Sequence, residues 1–184
     1  MNSYLIKSNA TSLIDKKIEE LIKELGFNDA SITTYDLEED SITSLIEDAD
    51  TISFLTPSKV IIGKNLSNNN LDDKNIKTLS KYLDNPNSDV LLIFVTTNID
   101  TRKKIVKEVI NKLSLVNIST DTKSIVKNIL KGYDVEYRVI NLLDEYYKDD
   151  LERLISETKK LALAFINTKK ITYKEAFDLL VKPL

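Results

Sequence analysis

The chain has 184 residues, with 26 Lys+Arg against 29 Asp+Glu and a formal net charge of −3. That length allows one or two small domains with a real hydrophobic core. There is no Cys and no His, which excludes disulfides, thiolate nucleophiles, Cys/His zinc clusters and histidine general bases. At 42% hydrophobic and 30% charged residues the composition is that of a globular protein. The longest apolar run, Val90 to Val95, falls far short of the roughly 20 residues needed to span a bilayer. The first residues lack the basic-then-apolar layout of a secretion signal, so a cytoplasmic location and no membrane partner are expected. Mild acidity argues against charge-driven nucleic-acid binding by the surface as a whole.

Along the first two-thirds, strand-like and helix-like segments alternate. Tyr4-Leu5-Ile6 is a short strand, and Leu13, Ile14, Lys17, Ile18, Leu21, Ile22 and Leu25 repeat at helical spacing up to Gly26, a helix stop. Ser31 to Tyr35 is rich in β-branched and aromatic residues, which favours a second strand. After the acidic stretch, Ser41 is placed to cap a short helix that turns Ile42, Leu45 and Ile46 inward. Lys59 to Gly63 reads as a third strand, Leu71 to Leu83 as an amphipathic helix, and Asp84-Asn85-Pro86-Asn87 as a turn. Val90 to Val95 shows no alternation; a strand apolar on both faces is covered on both, which predicts the centre of a parallel sheet. Arg102 to Leu113 is predicted as a helix and Ser114 to Ser119 as a fifth strand.

From about residue 120 the strand signals stop and helical stripes take over. They include Val139, Leu142, Leu143 and Tyr146, then Leu151, Leu154, Ile155, Thr158, Leu161, Ala162 and Phe165. Thr172 with Glu175 three positions on is a capping box opening a last helix. The predicted organisation is an α/β domain over residues 1–119 and a small all-helical domain over 120–184.

That layout is common among ATPases, so the phosphate site is the first chemistry to look for. A phosphate-cradling loop after the first strand needs glycines, a Lys and a Ser/Thr. The chain offers Lys7-Ser8-Asn9-Ala10-Thr11-Ser12, and its only glycines are Gly26, Gly63 and Gly132. The acids that would hold Mg²⁺ after the third strand are replaced by Gly63-Lys64-Asn65. No ATP hydrolysis, catalytic residue, cofactor or metal is therefore expected. The acidic run Leu37-Glu38-Glu39-Asp40 is expected to be a solvated loop near a helix start. Of Tyr146 and Tyr147, one is expected to pack inward rather than stack on bases. Lys103, Lys104 and Lys107 are expected to form a wet lysine face, the alternative being a small phosphate-touching ridge.

One apolar feature is harder to bury. Asp50-Thr51-Ile52-Ser53-Phe54-Leu55-Thr56-Pro57-Ser58 allows one helical turn capped by Thr51, and Pro57 forces Thr56 out of helical geometry. So short a turn cannot hide Ile52, Phe54 and Leu55 together. Full burial of each gives about 1.5–3 kcal/mol, so an outward pair is a fitting anchor for a partner's pocket. Pattern alone leaves open whether Phe54 projects outward or folds back onto the sheet.

The order of these segments resembles the N-terminal two domains of the delta subunit of bacterial DNA polymerase III, a component of the sliding-clamp loader. The likeness runs through Tyr4-Leu5-Ile6 with Leu13 to Ile18, Tyr35 to Ser41, Thr51 to Asn65, Tyr82 to Pro86, Val90 to Val95, Leu151 to Leu161 and Lys170-Ile171-Thr172. It rests on their order and spacing rather than on any single motif.

The resemblance implies an AAA+-like α/β sheet domain without a working nucleotide site, followed by a helical domain. It implies a non-catalytic subunit of the DNA-directed DNA polymerase (nucleotidyltransferase) holoenzyme, one that binds and opens the sliding clamp for loading onto DNA. It places Phe54 and Leu55 as the hydrophobic pair entering the clamp's pocket, with Ile52, Ser53 and Thr56 beside them. The implied partners are the clamp (the beta subunit of DNA polymerase III), other clamp-loader subunits and, indirectly, primed DNA. Two departures stand out. Many members carry Gly where this chain has Lys7-Ser8-Asn9. The family's third, collar-forming helical domain is also expected beyond Leu184, so this chain is expected to bind clamp yet assemble poorly with other subunits. A degenerate nucleotide-binding domain and a DNA-binding module using the Lys103 ridge are the alternatives.

Overall fold

The computed structural model describes residues 2–51 and 58–180. The chain divides into two compact units, Met1–Ile118 and Ser119–Leu184.

The first unit is built on five parallel strands: β1 (Ser3–Lys7), β2 (Ser31–Asp36), β3 (Lys59–Lys64), β4 (Val90–Thr96) and β5 (Ser114–Asn117). Their spatial order is β2-β3-β4-β1-β5. The unbroken apolar run β4 lies in the middle, and every one of its residues is buried. The reason is visible in the packing. Val90, Leu92 and Phe94 join one core with α2 (Ile42–Asp50), α3 (Asp73–Asp84) and α4 (Lys104–Ile110), while Leu91, Ile93 and Val95 join a second core with α1 (Thr11–Glu24). The edge strands are far less buried, with Ile32 of β2 58% exposed and Leu115 of β5 57% exposed.

Helix ends follow local chemistry. Beyond α1, Gly26 adopts φ +77°; Phe27 N–H donates to Ile22 O at 2.8 Å and Gly26 N–H to Lys23 O at 3.3 Å. This is a Schellman close, and Phe27 and Ile22 pack in the same core. Ser41 Oγ accepts from Ser44 N–H at 3.0 Å and opens α2, and Asp72 does the same for α3 through Asn75 N–H. A single 3-10 turn, Asn68–Asn70, was not anticipated; three asparagines carry no hydrophobic period to read. The helix α4 starts later than predicted, with Asp100 and Arg102 bonded to each other ahead of it, and ends earlier, at Ile110.

The second unit contains α5 (Thr122–Ile129), α6 (Tyr137–Tyr147), α7 (Leu151–Ala164) and α8 (Tyr173–Leu179). Val126, Val139, Leu143, Leu154, Leu161 and Ala176 form its fully buried interior. Asp121 and Asp150 are the N-caps of α5 and α7, and Thr172 with Glu175 forms the expected capping box of α8. Helices are joined by one two-residue parallel pair, β6 (Asp134–Val135) with β7 (Lys170–Ile171). Two-residue strands are too short to leave a periodicity.

Burial also sets a pH limit. The Tyr82 hydroxyl on α3 is pushed up to about 12 by burial. The folded state thus holds this proton more tightly than the unfolded chain, whose phenol titrates near 10. Its contribution to stability is complete below pH ~10 and is lost as pH rises from there toward ~12. Melting temperatures measured across this range should fall, and the fall should be flatter in Tyr82→Phe.

Candidate functional site

The expected phosphate position has geometry of its own. Ser8 and Ala10 are buried after β1; Ser8 N–H donates to Thr96 O at 3.0 Å and Ser8 Oγ accepts Ala10 N–H at 3.1 Å. These two amides are spent inside the chain rather than presented to an anion. After β3, where a metal-holding acid would stand, Lys64 Nζ lies 3.6 Å from Asp15 and Asn65 Nδ2 donates to Asp36 Oδ1 at 2.9 Å. The Asn65 amide, with Glu38 N–H, holds the Asp36 carboxyl below the usual carboxylate range.

The acidic run folds as a tight turn. Asp36 O accepts from Glu39 N–H and Asp40 N–H, Asp40 Oδ2 accepts from Asp36 N–H, and Glu38, Glu39 and Asp40 face solvent. Leu37 alone turns inward. Tyr147 is 2% exposed and packs edge-on to Tyr146, so one tyrosine of the pair is interior. Lys103, Lys104 and Lys107 are exposed, and Lys104 lies 3.8 Å from Glu108, consistent with a solvated face.

Ile52, Ser53, Phe54, Leu55 and Thr56 lie outside the described residues. Gly63 of β3 sits in register with Phe94 of β4, and a Cβ at Gly63 would come within 2.8 Å of Leu45 Cδ1 and 2.9 Å of Phe94 Cδ1. The glycine is what lets α2 lie close against the sheet. The helix then ends at a cluster that sequence reading missed. Lys59 Nζ donates to Asp48 O at 3.0 Å, to Asp48 Oδ1 at 2.9 Å and to Thr51 O at 3.0 Å. Tyr35 OH of β2 donates to Asp48 Oδ2 at 3.0 Å, and burial together with this carboxylate pushes the Tyr35 hydroxyl up.

Thr51 closes α2, its Oγ1 donating to Glu47 O at 2.6 Å; the following turn that it is expected to cap lies outside the described residues. A sequence signal for Lys59 did exist. The last turn of α2 holds Glu47, Asp48 and Asp50 and no basic residue, so its negative end needs a cation from elsewhere.

The family model for the DNA polymerase III delta subunit matches residues 4–119. The chain belongs to this family. Among solved structures, the Bacillus subtilis DNA clamp loader delta protein matches with a TM-score of 0.68 and 19% identity, covering 100% of this chain and 59% of that one. Two Thermotoga maritima RuvB variants match with TM-scores of 0.53 and 0.54, each at 10% identity and covering 96% of this chain and 61% and 60% of theirs. At these identities the likeness shows the fold, a parallel-sheet α/β architecture of the AAA+-like kind. The chain thus spans less than two-thirds of the proteins whose fold it shares. No curated protein sequence matches it. The family match covers all five strands of the sheet and both flanks of segment 52–57. Among the described residues, no helix is long and apolar enough to cross a membrane.

Proposed function

We propose that this chain is the clamp-engaging part of a clamp-loader delta subunit, that it works in the cytoplasm, and that it binds and opens the sliding clamp, the beta subunit of DNA polymerase III. The observation that carries the reading is the family match across residues 4–119, which contains the apolar pair Phe54-Leu55 between α2 and β3. Its action is mechanical. Binding energy at the clamp's pocket favours a clamp conformation whose subunit interface does not close, and no bond is made or broken by this chain. Ile52, Ser53 and Thr56 border the pair. ATP-binding clamp-loader subunits control when this surface is available, and primed DNA is met only through the opened clamp.

Calorimetric titration of the chain with the sliding clamp tests this. Saturable binding with one chain per pocket is expected; no heat and no co-elution at tens of micromolar would remove the reading.

A further inference from the structure

Between α2 and α3 runs a groove of about 600 Å³. Its floor is apolar, made by Ile46 of α2 and the Tyr82 ring of α3, both buried. Its walls carry opposite charge. Glu47 and Asp50 line the α2 side and Lys77 and Lys81 the α3 side, and spacings of three and four residues keep each pair on one face of its helix. All four residues are exposed, and none of them is in an ion pair among the described residues. A second groove, between α3 and α4 on the other side of Lys77 and Lys81, differs in this respect. There Asp84 is held by Lys112, and Glu108 lies 3.8 Å from Lys104.

We infer that the α2/α3 groove is a docking site for an amphipathic helix of a partner protein, one whose apolar stripe is flanked by basic residues on one side and acidic residues on the other. Charge decides the class of partner. A phosphate backbone or an anionic membrane would be drawn to Lys77 and Lys81 but repelled by Glu47 and Asp50 along the facing wall. A helix answers both walls at once. Its side chains at i, i+3 or i+4, and i+7 meet the floor, and its flanking positions pair outward as the e and g positions of a coiled coil do. The aliphatic stems of the two lysines extend the apolar surface beside Tyr82. The site involves neither segment 52–57 nor the clamp, so it stands apart from the clamp-binding reading.

The experiment is fluorescence anisotropy of the full chain with three labelled synthetic helices of about 18 residues that share one leucine stripe. The first carries lysines on one flank and glutamates on the other, the second lysines on both, and the third glutamates on both. At physiological salt the wild type should bind the mixed helix roughly tenfold tighter than either of the others. Lys77→Glu/Lys81→Glu should move the preference to the all-lysine helix, and Glu47→Lys/Asp50→Lys to the all-glutamate helix. Lys103→Glu/Lys107→Glu makes the same change in net charge as the first variant outside the groove, and should leave the wild-type preference in place. All the substituted residues are exposed, and circular dichroism melts check that each variant is folded. A preference that ignores the groove variants, or that follows the Lys103/Lys107 control, would overturn the docking site. So would no binding of any of the three helices at roughly millimolar concentration. Self-association of the chain in sedimentation, abolished by the groove variants, would also overturn it by giving the groove to a second copy.

Discussion

Replacing Phe54 and Leu55 together by alanine is expected to weaken clamp binding by about 3–4 kcal/mol, a loss of several hundred-fold in affinity, while the thermal melt stays in place. The size follows from the kind of contact. Adjacent aromatic and aliphatic side chains that fill a pocket bury all their surface on binding, and each full burial contributes about 1.5–3 kcal/mol. The unchanged melt follows from the core. Both faces of the sheet are already covered, by α2, α3 and α4 on one side and α1 on the other. Calorimetry for affinity and circular dichroism for the melt separate the two quantities. A melt that falls with the affinity would show that the pair belongs to the interior.

Gly63→Val is expected to destabilise the α/β unit by about 3 kcal/mol, lowering its melting temperature by roughly 6–12 °C. Its first carbon alone would approach Leu45 Cδ1 to 2.8 Å and Phe94 Cδ1 to 2.9 Å, and both neighbours are fully buried. Neither can move without displacing α2 or distorting β4. Gly63→Ala should cost less, about 1–2 kcal/mol, and less again in a Phe94→Leu background, where the ring that crowds it is gone. The measurement is a double-mutant cycle by thermal or urea unfolding. Additive losses would mean that the Phe94 ring does not crowd this position. Because α2 and β3 flank segment 52–57, Gly63 variants should also weaken clamp binding, whereas Phe54 and Leu55 variants leave stability alone.

The contrast between these two positions explains how much the sequence could tell. Much of what depends on a local period or a local bond was readable. The unbroken apolar run of β4 implied cover on both faces, and Ser41, Gly26 and the Thr172–Glu175 box mark helix ends through side chains within a few residues of the amides they satisfy. The glycine-free loop after β1 could be read as unsuited to a phosphate from residue types alone.

Contacts that join distant residues were not readable. Lys59 reaches Asp48 eleven positions back, and Asn70 Nδ2 donates to Leu37 O across 33 positions. The crowding at Gly63 needs β3, β4 and α2 together. Even so, the acid-rich, base-free end of α2 advertised a missing cation. The Asn68–Asn70 turn and the pairing of Asp134–Val135 with Lys170–Ile171 are too short for any period to reveal. The Phe54-Leu55 pair is a different case: it was singled out as two adjacent large apolar residues, its assignment to a clamp pocket came from family resemblance, and it lies outside the described residues.

Clamp opening itself is tested most directly by loading fluorescent sliding clamp onto circular DNA, adding this chain without ATP or other subunits, and following clamp release by gel filtration. Release should accelerate with chain concentration, saturate as the clamp is bound, and vanish with Phe54→Ala/Leu55→Ala. A chain that binds the clamp tightly yet leaves it on the circle would contradict a ring-opening role.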